Sequence, residues 1–128
     1  MSVTESPEQT ISSRVCKLLL AEKAIDAIYL YGSRAKGVER QESDWDLAVL
    51  FSNFEKDPVE RVARAQSLEA MLERGLPLYG KISLIDLESV PPPLQFNAIR
   101  GIKWYDRGVV HVRKFENGVY SKIELDYA

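Results

Sequence analysis

A single cysteine, Cys16, and a single histidine, His111, stand in a chain of 128 residues. One thiol excludes an internal disulfide and a cysteine-based zinc site. Cys16 lies in a helical apolar pattern and reads as a small core residue, which is how free cysteine usually behaves. His111 lies far in sequence from the paired carboxylates described below, in a mixed apolar and basic segment, and reads as a surface or partner-facing side chain rather than a ligand or base. Long hydrophobic runs are missing as well. The cluster Leu18-Leu19-Leu20-Ala21 is far too short for a membrane span or a secretion-signal core, so a cytoplasmic protein without a membrane partner is expected. There is no excess of basic charge: the formal net charge is −2 and the pI is near 5.5. A nucleic-acid binder that relies on bulk phosphate attraction usually shows a basic face, so direct nucleic-acid binding is not expected. No internal repeat and no low-complexity tract interrupts the chain.

What is present suits one compact domain. With 45% hydrophobic and 28% charged side chains, residues 1–128 can bury a real core but leave no room for a second substrate domain. The acidic and polar start, about residues 1–6, is expected to be flexible. Ser6-Pro7-Glu8-Gln9 reads as a helix start, with Ser6 as cap and Gln9 placed for a capping box, and Ile11, Val15, Leu18 and Leu19 continue at helical spacing. Ala27 to Tyr31 reads as a short strand ended by Gly32. Trp45 to Phe51 is almost continuously apolar, as a central strand covered on both faces should be. Asp57-Pro58 opens a second helix that Gly75 stops.

Lys81 to Leu87 reads as a third strand, and Pro91-Pro92-Pro93 can start a helix running through Leu94, Ala98 and Ile99, because proline is tolerated where the backbone N–H has no partner. Ile102 to Tyr105 reads as an edge strand. Val109 to Tyr127 has near-helical spacing, weakened by about 1 kcal/mol if Gly118 is mid-helix. The sum is an α/β fold with a small sheet flanked by helices.

Between the first two strands lies the most informative stretch, Gly32-Ser33-Arg34-Ala35-Lys36 followed by Asp44-Trp45-Asp46. Side chains alternate across a strand, so Asp44 and Asp46 project to one face and Trp45 to the other. Two such carboxylates can share an ion. Magnesium favours carboxylate and water oxygens completed by substrate phosphates, which fits a metal-nucleotide site. Gly32 allows phosphate to approach the backbone, Ser33 adds a hydroxyl, and Arg34 and Lys36 bring cations for charge-assisted hydrogen bonds. Arg40, in the middle of the connecting loop, is a weaker candidate. Trp104-Tyr105 could stack on a base, but such a pair is more often packing. Arg61, Arg64 and Arg74 read as a solvated helix face.

Gly-Ser, ten intervening residues and Asp-x-Asp resembles the nucleotidyltransferase signature. The chain size, the strand leading into Gly-Ser-Arg-Ala and the segment Val90 to Arg100 resemble the minimal nucleotidyltransferases (MNT). Many of these are MntA-type antitoxins paired with a HEPN ribonuclease toxin. The resemblance implies a polymerase β-like nucleotidyltransferase fold with a small mixed sheet. It implies transfer of AMP from ATP, with Mg²⁺ as cofactor, to a tyrosine hydroxyl of the toxin, and a hetero-oligomer with that toxin. It assigns Gly32, Ser33 and Arg34 to the nucleotide, and Asp44 and Asp46 to the metal and to catalysis.

The family usually carries a third carboxylate early in the third strand. Here Ser83 stands at that place and Asp86 follows three residues later. By strand parity Asp86 faces away from Ser83, so it completes a catalytic set only if the strand ends or bulges nearby. Two alternatives stay open: a catalytically impaired antitoxin that neutralises by binding, and a small-molecule nucleotidyltransferase, against which the lack of a second domain counts.

Overall fold

The strand Trp45–Phe51 (β2) organises the molecule. Residues 45, 47, 49 and 51 join one hydrophobic cluster, whereas Ala48 and Leu50 join another on the opposite face. A nearly continuous apolar run is what two covered faces require. The structure, a computed structural model, describes residues 7–78 and 80–127. The capping role expected of Ser6 and the flexibility expected of residues 1–6 lie outside the described residues.

In chain order the elements are α1 (Pro7–Glu22), β1 (Ile25–Tyr31), α2 (Ser33–Lys36), β2, α3 (Pro58–Gly75), β3 (Ile82–Asp86), α4 (Pro92–Ile99), β4 (Ile102–Asp106) and α5 (Val110–Lys122). The strands form one mixed sheet in the order β3-β2-β1-β4, with β1 antiparallel to both neighbours and β2 parallel to β3. One face carries Val15 and Leu19 from α1 and Ala65, Leu68 and Leu72 from α3. The other carries Ala98 and Ile99 from α4 and Val112 and Val119 from α5. The fold is therefore a small mixed sheet flanked by helices. The Asp57 side chain caps α3 by accepting from the Val59 N–H at 2.9 Å, and Pro91 precedes α4 as its N-cap.

Several expectations shift in detail. The last helix runs through Gly118 and continues as a π-helical turn over Ile123–Tyr127. Cys16 is half-buried rather than deep in the core, and burial pushes its thiol up to about 11. Trp104 and Tyr105 both pack against the α1/α3 cluster. A register shift between Ile28 and Tyr29 puts Trp104 outside the paired positions, the local effect of a β-bulge. No helix among the described residues is long and apolar enough to cross a membrane.

Strand β1 begins two residues earlier than its apolar pattern, because a charged residue, Asp26, is buried in it at 3% exposure. Its carboxylate accepts hydrogen bonds from Ser52 Oγ at 2.6 Å and from Arg107 at 3.2 Å, and meets His111 Nδ1 at 2.8 Å. The lone histidine is thus half-buried and ties the start of α5 to β1, a correction to its reading as a surface or partner-facing residue.

Burial raises the Asp26 pKa, but the bonds from Ser52, His111 and Arg107 outweigh it and hold the carboxyl below its ordinary value. A lowered folded-state pKa stabilises above the unfolded value, and that stability is lost as pH falls through the folded one. Asp26→Asn is expected to cost about 2 kcal/mol in urea unfolding at pH 7, as the loss of hydrogen bonds to a charge. The deficit should shrink below the ordinary carboxylate range, where the wild type loses the same charge.

Candidate nucleotide and metal site

The site forms where β1 ends. Gly32, at φ 75° and ψ −156°, turns the chain from β1 into α2, a conformation that is essentially reserved for glycine. A Cβ at this position would run into Asp46 Oδ2, so the missing side chain is what lets the turn and the carboxylate approach each other. Tyr31, directly before the turn, is the in-register partner of Asp46. Burial, and secondarily the Asp46 charge, push the Tyr31 phenol up to about 12.

Asp44 is exposed immediately before β2, and Asp46 is half-buried in its second position. Burial, and then the Asp44 charge, raise the Asp46 carboxyl above its ordinary value. Two like-charged acceptors that strain against each other make a donor set chemically suited to a divalent cation. Among the described residues, no group of three or more acidic, histidine or cysteine side chains is arranged to hold a metal ion. Two carboxylates fit magnesium when phosphate and water oxygens complete the shell.

Arg34 leaves Ser33 for the connecting loop. Its Nη2 donates to the carbonyls of Ser43 at 2.9 Å and Gln41 at 3.0 Å, and its Nε donates to Ser43 at 3.1 Å. The guanidinium lies over the Trp45 ring, 3.9 Å from its centre.

Asp86 is not brought to the pair. It is the last residue of β3, opposite Val49, while Ser83 is the in-register neighbour of Asp46. Asp86 faces α3 and is 3% exposed. Its Oδ2 receives two hydrogen bonds from Arg64, the shorter at 2.6 Å, and its Oδ1 accepts from the Glu88 N–H at 3.0 Å, capping the short 3-10 turn Leu87–Ser89. The strand does end at this residue, but without turning the carboxylate to the other face. This placement corrects the expectation that Asp86 could complete the catalytic set.

Arg64 is corrected with it: the side chain also donates to the Asn53 carbonyl at 2.9 Å and lies over the Phe51 ring, so it is a partly buried tie rather than part of a solvated face. Arg61 likewise donates to the Glu55 carbonyl at 2.7 Å. Asp86→Asn is expected to lower stability by about 2 kcal/mol, the cost of removing the charge from a buried carboxylate that a partly buried Arg64 pairs with, while the folded fraction keeps its nucleotide affinity. Thermal unfolding and a nucleotide titration check the two halves.

Beside Gly32 a cleft of about 350 Å³ is lined by Tyr31, Lys36, Asn97 and Arg100, among others. Asn97 and Arg100 come from the last turn of α4 and its C-cap. Sequence spacing did not connect them to the turn, because only the return of α4 to the sheet brings the two segments together. Trp104 and Tyr105 lie in the other layer, where Trp104 stands 6.4 Å from Trp45.

A mixed four-stranded sheet with a glycine-serine turn set against a paired Asp-x-Asp defines an α/β domain of the nucleotidyl-transfer type. The sequence pattern of the family described as Polymerase beta, Nucleotidyltransferase matches residues 14–108, more than half of the chain, and the chain belongs to that family. Among solved structures, a chain of a toxin-antitoxin complex with AMP-PNP is 25% identical with a TM-score of 0.66, over 88% of this chain and 86% of that one. A chain from a mutant MntA toxin-antitoxin complex is 27% identical with a TM-score of 0.63, over 88% and 85%. A chain from the complex of tri-AMPylated Shewanella oneidensis HEPN toxin with MNT antitoxin is 23% identical with a TM-score of 0.61, over 91% and 87%, a likeness of fold. No curated protein sequence matches the chain.

Proposed function

We propose that the chain is a single-domain, Mg²⁺-dependent adenylyltransferase antitoxin. It transfers AMP from ATP to a tyrosine hydroxyl of a cognate HEPN-family toxin, with which it forms a hetero-oligomer in the cytoplasm. The observation that carries this reading is the seating of Asp46 against Gly32, which supports a site in which that carboxylate and Asp44 act beside a glycine turn. Family membership supports nucleotidyl transfer. The similar complex with AMP-PNP supports an adenine nucleotide and a toxin partner, and the tri-AMPylated toxin of the Shewanella complex motivates the choice of a transferred AMP.

In this reading Gly32 and Ser33 receive the phosphates, and Lys36 and Arg100 at the cleft offset their charge. Asp44 and Asp46 hold the magnesium, which when bound neutralises phosphate charge and orients the reacting groups. The tyrosine oxygen bonds to the α-phosphorus as the bond from that phosphorus to the bridging oxygen breaks. Pyrophosphate departs and the phenolic proton passes to solvent. A phenol with a pKa near 10 needs less assistance to ionise than an aliphatic alcohol, which suits a site where Ser83 stands beside Asp46.

That same serine favours a second reading, a binding antitoxin with a degenerate site. Co-expression separates the two: under the first, Asp44→Asn and Asp46→Asn leave the toxin lethal, and under the second both still neutralise it.

A further inference from the structure

We propose that Arg34 is a positioning residue that clamps the Asp44-Asp46 arm onto the Gly32-Ser33 turn, rather than a ligand of the phosphates. The inference rests on the reading of the site given above. One guanidinium touches the chain on both sides of Asp44: the Ser43 carbonyl before it, through Nε and Nη2, and the Trp45 ring after it. The same group reaches back along the loop to the Gln41 carbonyl at 3.0 Å and the Arg40 carbonyl at 3.3 Å. Its own backbone lies in α2, next to Ser33.

The loop from Gly37 to Asp44 forms no regular element. Its local bonds run from Val38 N to the Ser33 carbonyl, from Ser43 N to the Arg40 carbonyl, and from Arg40 N to Ser43 Oγ. Two carboxylates separated by one residue repel each other, so without a tether an exposed Asp44 would drift from Asp46. A planar fork that bridges several carbonyls while stacking on an indole provides that tether. A lysine ammonium is a point donor and reproduces neither the fork nor the stack.

The experiment compares wild type, Arg34→Lys and Arg34→Gln. Amide hydrogen exchange is followed over residues 40–45, ATP affinity is measured in EDTA, and the Mg²⁺ concentration giving half of the metal-dependent gain in ATP affinity is determined. For a clamp, both variants exchange faster over the loop and need roughly ten- to a hundredfold more Mg²⁺, the usual cost of removing a group that orients metal ligands. Metal-free ATP affinity should stay within about twofold, since that interaction does not use the guanidinium, and Arg34→Lys should behave like Arg34→Gln.

Protection of residues 40–45 unchanged in both variants overturns the clamp. So does metal-free affinity that falls about tenfold in Arg34→Gln and is retained in Arg34→Lys, because charge on phosphate would then explain the residue. If wild type binds no ATP at all, the proposed function fails, and hydrogen exchange alone still decides whether Arg34 holds the arm.

Discussion

Asp44→Asn and Asp46→Asn are each expected to slow AMP transfer about a thousandfold or more, the loss of roughly 4 kcal/mol of transition-state stabilisation. The substitutions preserve shape and remove only the charge that a divalent cation needs. They should also leave the protein folded. For Asp46 the sign is informative: its folded-state carboxyl is raised by burial and by Asp44. Between the unfolded and folded values the native protein then binds more protons, so the ionised form opposes folding at neutral pH. Thermal unfolding of Asp46→Asn is expected at or above the wild-type temperature, while single-turnover transfer collapses. A variant that lost both properties together would instead mark Asp46 as a structural residue.

Gly32→Ala should have the second-largest effect, for two separable reasons. Its backbone conformation costs a residue with a Cβ about 1–3 kcal/mol. The new methyl would also collide with Asp46 Oδ2. If Asp46 holds the metal as proposed, moving its carboxylate by about 1 Å is enough to lower the rate about a hundredfold. Gly37→Ala is the control, since Gly37 also has a positive φ, 73°, but nothing lies within 4 Å of where its Cβ would be. That variant is expected to lose about 1 kcal/mol of stability, the cost of left-handed backbone with a side chain, and to transfer AMP at close to the wild-type rate. Equal loss of transfer in the two variants would mean that backbone strain, rather than the approach to Asp46, explains Gly32.

The order of elements was readable because each carries its own local chemistry. Asp57-Pro58 caps and opens α3, Pro91 to Pro93 start α4, and an unbroken apolar run makes β2 central. Pairing rules also anticipated that Asp86 faces away from Ser83. What spacing could not reveal was what waits on each face. Arg64 is fixed to Asp86 from a helix 22 residues away in sequence, so a residue that looks solvated on α3 and another that looks catalytic on β3 neutralise each other.

The same blindness applies to Arg34 and His111. A cation one residue after Ser33 suggests phosphate, and nothing in the spacing shows that the loop also folds back to offer it the Gln41 and Ser43 carbonyls. A lone histidine looks dispensable until β1 presents the buried Asp26. Tyr31, Asn97 and Arg100 were invisible as a group, because a cleft formed by a strand end and the end of a distant helix leaves no periodic signal.

Transfer of AMP onto a protein by this turn and carboxylate pair, as proposed, is open to direct measurement. The direct measurement is incubation of the purified chain with Mg²⁺, ATP labelled at the α-phosphate and a purified HEPN-family protein as the proposed acceptor, followed by mass spectrometry of both chains. The expected result is label on a tyrosine of the toxin, absent with Asp46→Asn and absent when magnesium is chelated. Toxin that is fully neutralised yet carries no AMP would contradict it.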